Sequence, residues 1–122
     1  MATLKDLEKY LDYEFSSGGY TGEDYKQFQN KYINYLRTLC GQNGWELVKA
    51  GRNHYEFTAF IKRDDRYVYL SISDVRFFRN DWYNHILIRT AFDDRDYHGG
   101  YNNYTSLPNL KSAVGNLLLR GY

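Results

Sequence analysis

A single cysteine among 122 residues excludes an internal disulfide, and nothing in the chain asks for an oxidising compartment. No apolar run approaches the roughly 18 residues that a membrane span needs. Residues 1–20 have neither a basic n-region nor an apolar core, so no secretory leader is expected and the setting reads as cytoplasmic. A formal net charge of +1 excludes both a polybasic nucleic-acid coat and an acidic DNA mimic. There is one proline, no internal repeat, no linker and no low-complexity tract. Disorder is excluded as well, because 43% of the residues are apolar and 19% aromatic. The length suits one domain over 1–122 with a sizeable core.

What the sequence does have is uneven charge and much tyrosine. Residues 1–25 carry Lys5 and Lys9 against Asp6, Glu8, Asp12, Glu14, Glu23 and Asp24, a net of −4. Arginine gathers in the middle of the chain, at Arg52, Arg63, Arg66, Arg76, Arg79, Arg89 and Arg95. The 14 tyrosines each join an apolar body to a polar tip, so they can both pack and bind.

Leu4, Leu7, Leu11 and Phe15 keep helical spacing, which predicts a helix over 4–15 with Thr3 as its N-cap. A second helix is expected from Thr21, with Asp24 completing a capping box, an apolar face of Tyr25, Phe28, Tyr32, Tyr35, Leu36 and Leu39, and Gly41 and Gly44 as stops. From Trp45 the period becomes two. Strands are expected at 45–49, 54–62, 66–73 and 83–90, joined by turns at 51–53 and 64–65 and by a longer connection at 73–82. A polar loop over 91–105 then leads to a last helix behind Ser106 and Pro108. The class is α+β: two N-terminal helices, a four-stranded antiparallel meander and a C-terminal helix, with the helices on one face of the sheet.

Alternation sorts the strand residues into two faces. Tyr55, Phe57, Ile61, Val68, Leu70, Ile72, Ile86 and Ile88 belong under the helices. His54, Thr58, Phe60, Tyr67, Tyr69, His85 and Arg89 are left on the open face, and the connection adds Arg76, Arg79 and Trp82. Rings beside guanidinium groups can anchor a protein partner or a second copy. They can also stack nucleic-acid bases. The binding residues expected are therefore Phe60, Tyr67, Tyr69, Arg76, Arg79, Trp82, His85 and Arg89.

The catalytic alternative is the loop Asp93, Asp94, Asp96 and His98, where carboxylates and an imidazole could serve a metal-dependent hydrolase or nuclease. Its spacing matches no calcium loop, and Asx turns explain the same residues. The chain has no CxxC, HExxH, P-loop or GxGxxG, so no cofactor or metal is expected. Cys40, on an apolar helix face, reads as a buried thiol.

The runs Asn53–Phe57, Tyr67–Phe77, Trp82–Asn84, Ile86–Ala91 and Asp96–Gly100 resemble small accessory proteins of Firmicutes mobile elements and phages. That resemblance implies a bacterial cytoplasmic setting and an accessory role, such as binding and inhibiting a host or rival protein. It carries no functional residues with it. The expected function is a non-catalytic binding module acting through protein–protein contacts, homodimerisation included. Nucleic-acid binding through the same face is the first alternative and the Asp93–His98 enzyme the second. No membrane role is expected.

Overall fold

The computed structural model describes residues 3–12, 23–52, 57–73, 75, 78, 80–98 and 100–120. Helices α1 (Leu4–Glu8) and α2 (Glu23–Gln42) precede strands β1 (Glu46–Arg52), β2 (Phe57–Arg63) and β3 (Arg66–Ile72). A single helical turn, α3 (Asp81–Asn84), leads to β4 (Ile86–Ala91) and β5 (Asn103–Thr105). A 3-10 turn (Leu107–Asn109) then runs into α4 (Leu110–Arg120). The fold is α+β, with helices at both ends of an antiparallel sheet ordered β1-β2-β3-β4-β5.

Thr3 caps α1 as its sequence position suggests. The Asp6 N–H donates to Thr3 Oγ1 at 3.3 Å, and the Thr3 N–H donates to Asp6 Oδ2 at 2.8 Å. These bonds hold the Asp6 carboxyl below its ordinary range. The helix is shorter than the expected 4–15. It stops at Glu8, and the Tyr10 N–H turns back to the Leu7 carbonyl at 2.9 Å. That turn sets the Tyr10 ring edge-on to Phe28, 5.2 Å away, and burial of the ring offsets the lost helical bonds. The expected cap at Thr21 lies outside the described residues. Helix α2 buries Tyr25, Phe28, Tyr32, Leu36 and Leu39, the face its spacing marks out. Gly41 does not stop it. The terminator is Gly44, whose φ of +70° lets the Trp45 N–H reach back to the Cys40 carbonyl at 2.9 Å.

Strands β2 and β3 close a tight hairpin around Asp64 and Asp65, with Asp64 at φ 56°. Strand β1 slips register between Leu47 and Lys49, a bulge that sets Val48 and Lys49 both toward the face that carries Phe60. The expected fourth strand over 83–90 is shorter. Residues 81–84 coil instead, because the Asn84 N–H bonds to the Asn80 carbonyl at 2.9 Å and the His85 N–H to that of Asp81 at 2.9 Å. The sheet has five strands rather than four. Asn103, Tyr104 and Thr105 pair with Ile88, Leu87 and Ile86. Three residues show too little alternation to be read as a strand.

The core fills the first face. Phe57, Ile61, Val68, Leu70, Ile72, Ile86 and Ile88 meet α2 on one side and Leu110, Val114, Leu117 and Leu118 of α4 on the other. The expected Tyr55 lies outside the described residues. Among the described residues, no helix is long and apolar enough to cross a membrane.

Candidate functional site

Strand alternation leaves Phe60 on β2, Tyr67 and Tyr69 on β3, and Leu87 and Arg89 on β4 on the second face of the sheet. The sequence suggests an open face, and here the structure corrects it. Phe60, Tyr69 and Ala91 are buried in a second small core, with Val48, Tyr67 and Leu87 packed around them. Phe60 and Tyr69 lie 5.2 Å apart, ring to ring.

The cover is the polar segment after β4. Tyr97 stands edge-on over both rings, 5.2 Å from Phe60 and 5.6 Å from Tyr69. Arg89 lays its guanidinium over the Tyr69 ring at 4.8 Å. It also ties the segment down, donating to Asn102 Oδ1 at 3.1 Å and to the Tyr97 carbonyl. Gly100 comes so close to β4 that a Cβ there would sit 2.6 Å from the Thr90 carbonyl oxygen and Oγ1, and its φ is +72°. The described residues of 92–98 and 100–102 thus form a strap across the second face.

Two more cations stand over tyrosine rings on this face: Lys49 Nζ at 5.6 Å from Tyr97 and Lys62 Nζ at 5.5 Å from Tyr67. Around the strap the rings turn outward. Tyr101 is 88% exposed, Phe92 71% and Tyr104 52%. His85, exposed at the start of β4, stacks flat on Tyr104, with centroids 4.1 Å apart and planes 8° from parallel.

The candidate residues therefore part company. Phe60, Tyr67, Tyr69 and Arg89 come together, but under the strap. His85 joins the exposed rim. Trp82 is no surface anchor: it is fully buried on the first face, edge-on to Phe28 at 5.1 Å and to Tyr32 at 6.4 Å. Its carbonyl accepts from the Tyr32 hydroxyl at 3.2 Å. Indole burial against two rings on α2 outweighs any surface use. Arg76 and Arg79 lie outside the described residues. Tyr97, Asn102 and Gly100 carry the strap and were not picked out from the sequence. The signals were a lone ring in an acidic stretch and a glycine pair, since glycine marks close backbone approach.

The Asp93–His98 stretch shapes the strap. Asp93 Oδ1 accepts the Arg95 N–H at 2.8 Å. The Asp96 carboxylate accepts the N–H groups of Phe92 at 2.9 Å and His98 at 3.2 Å. The Asp93–Arg95 and Asp96–His98 bonds are Asx-type turns. Among the described residues, no group of three His, Cys, Asp or Glu side chains gathers to hold a metal ion.

The largest shifts in proton affinity lie in the helical half instead. Burial pushes the Tyr25 hydroxyl up to about 12 and the Cys40 thiol up to about 11, and raises Tyr32 further. A thiol so raised is a poor nucleophile at neutral pH. Comparison with protein families, curated proteins and solved structures finds no match for this chain.

Proposed function

We propose that this protein is a non-catalytic binding module that engages a protein partner through the aromatic rim around the strap. The observation that carries the reading is the set of exposed rings on the segment after β4: Phe92, Tyr101 and Tyr104, with His85 stacked on the last. Large rings left in water are the anchors that protein interfaces use. An accessory role in a mobile element, binding and inhibiting a host or rival protein in the cytoplasm, is the finer form of this reading.

Nucleic-acid binding is the second reading. It is favoured by the flat His85–Tyr104 stack and by the cations Lys49 and Lys62 elsewhere on the second face. It is weakened by the burial of Phe60 and Tyr69, the rings a base-stacking sheet would need to expose.

The test is capture from bacterial lysate with the tagged chain and with a Phe92→Ser/Tyr101→Ser/Tyr104→Ser variant, each with and without nuclease. The expected result is a discrete protein retained after nuclease by the wild type and lost by the variant. A catch that nuclease removes, and that weakens steeply with salt, moves nucleic acid to first place. A dimer by light scattering that the variant abolishes identifies a second copy as the partner. Equal capture by both chains overturns the rim.

A further inference from the structure

Tyr97 reaches the second face as a ligand would. Its ring closes a cage with Phe60 and Tyr69 beneath it and Lys49 Nζ over its face at 5.6 Å. The segment that bears it, Asp93-Asp94-Arg95-Asp96, has a net charge of −2, while the receiving face offers Lys49, Lys62 and Arg89. Acidic chain lies on a cationic, aromatic surface. The attachment is light: none of the described strap residues is buried, whereas Phe60, Tyr69 and Ala91 beneath them are. Arg89 holds the strap partly through the Tyr97 backbone carbonyl, a group any peptide could supply. Segments with few buried apolar contacts open at a small fraction of the global unfolding cost.

We propose that the second face of the sheet is a docking surface for an acidic segment bearing an aromatic side chain, and that residues 93–97 occupy it in cis as a displaceable pseudo-ligand. A partner would grip the exposed Phe92 and Tyr101 rings near the two ends of the strap and place its own ring in the cage. This rests on the binding-module reading and adds the chemistry that the partner must present.

The experiment uses a labelled peptide with the sequence of residues 92–98, titrated by fluorescence anisotropy into the full-length wild type and into Tyr97→Ala. The wild-type face is filled by its own strap, so its apparent affinity falls in proportion to the open fraction, and Tyr97→Ala is expected to bind roughly tenfold more tightly. A peptide with alanine in place of its tyrosine should lose binding. Lys49→Glu in the Tyr97→Ala chain should weaken it and flatten its salt dependence. Gly100→Ala, which drives the strap off Thr90 without touching the cage, gives an opened chain should Tyr97→Ala fail to fold. Equal affinity for closed and opened chains, retention of the alanine peptide, or no saturable binding at millimolar concentration overturns the proposal. Loss of partner capture in the rim variant alongside equal peptide affinities would keep the binding module and remove the displaceable strap.

Discussion

The two faces of the sheet are covered in different ways. On the first, Phe57, Ile61, Leu70 and Ile86 are sealed by α2 and α4, whose own buried side chains interlock with Trp82 and with one another. On the second, Phe60, Tyr69 and Ala91 lie beneath an irregular polar strap whose described residues contribute the Tyr97 ring and polar ties to Arg89. Lifting a helix would bare a continuous apolar surface. Lifting the strap would bare only a few side chains, while β2, β3 and β4 stayed paired. The sheet thus has one permanent cover and one conditional cover, and surfaces meant for binding are drawn from the second kind.

Four measurements break or sharpen that contrast. The largest effect belongs to the permanent side. Trp82→Ala should cost about 3–5 kcal/mol in urea denaturation, because the cavity among Phe28, Tyr32 and α3 cannot collapse. Trp82→Phe should cost clearly less, since it keeps a ring there and deletes an indole N–H that finds no acceptor among the described residues. Equal losses would show that volume does not govern this site.

Alkaline titration comes next. Burial raises Tyr25 to about 12, against 10.0 for a free phenol, and raises Tyr32 as well. Below pH 10 the phenols are neutral in both states, and stability from this source is fully present. Above it the unfolded chain releases protons that the folded chain retains. The urea midpoint should therefore hold to about pH 9 and then fall as pH rises toward 12. A midpoint flat across that window would mean that these rings reach solvent.

Gly100→Ala acts on the conditional cover. A methyl 2.6 Å from Thr90 at a φ of +72° should cost about 1–3 kcal/mol, spent on opening the strap rather than on unfolding the domain. Hydrogen exchange should then speed up at residues 93–102 while β2 and β3 stay protected. Uniform acceleration would show that the strap is part of the global core. The smallest effect is expected at Arg66, whose Nη1 donates to the Leu118 carbonyl at 2.9 Å and to that of Leu119 at the end of α4. Arg66→Ala should remove about 1 kcal/mol of that tie, read as a small shift in thermal midpoint.

This asymmetry also decides what the sequence could disclose. Periodic residues packed against periodic partners are legible one by one: Leu7, Phe28, Leu36, Val68, Ile88 and Val114 all sit where their spacing puts them. The same alternation correctly separates Phe60, Tyr69 and Arg89 from Ile61, Leu70 and Ile88. Alternation says which way a side chain points, however, and not what lies beyond it. The strap has no period, and its polar residues satisfy their own backbone, so Asp93–His98 reads as solvated loop. Strand β5 is too short to alternate, and the single turn of α3 (Asp81–Asn84) takes up Tyr83 and Asn84, where the strand is expected to begin. Trp82 misled because rings beside arginines suit both a binding loop and a buried corner, and only its contacts with α2 decide between them.

The meander itself has a consequence for how the chain is made. Each strand pairs with its neighbour in sequence, so the sheet can assemble from short loop closures as the chain emerges. The cover from α4 is different: Arg66 and the Leu118 carbonyl it bonds are 52 residues apart. During synthesis β2 and β3 are complete well before Leu110 is added. For that interval Val68, Leu70 and Ile72 lack part of their cover, and at about 5–20 residues per second the gap lasts for seconds. The nascent hairpin is therefore the stage at which this protein is most exposed to aggregation, and chaperones would be expected to hold it there.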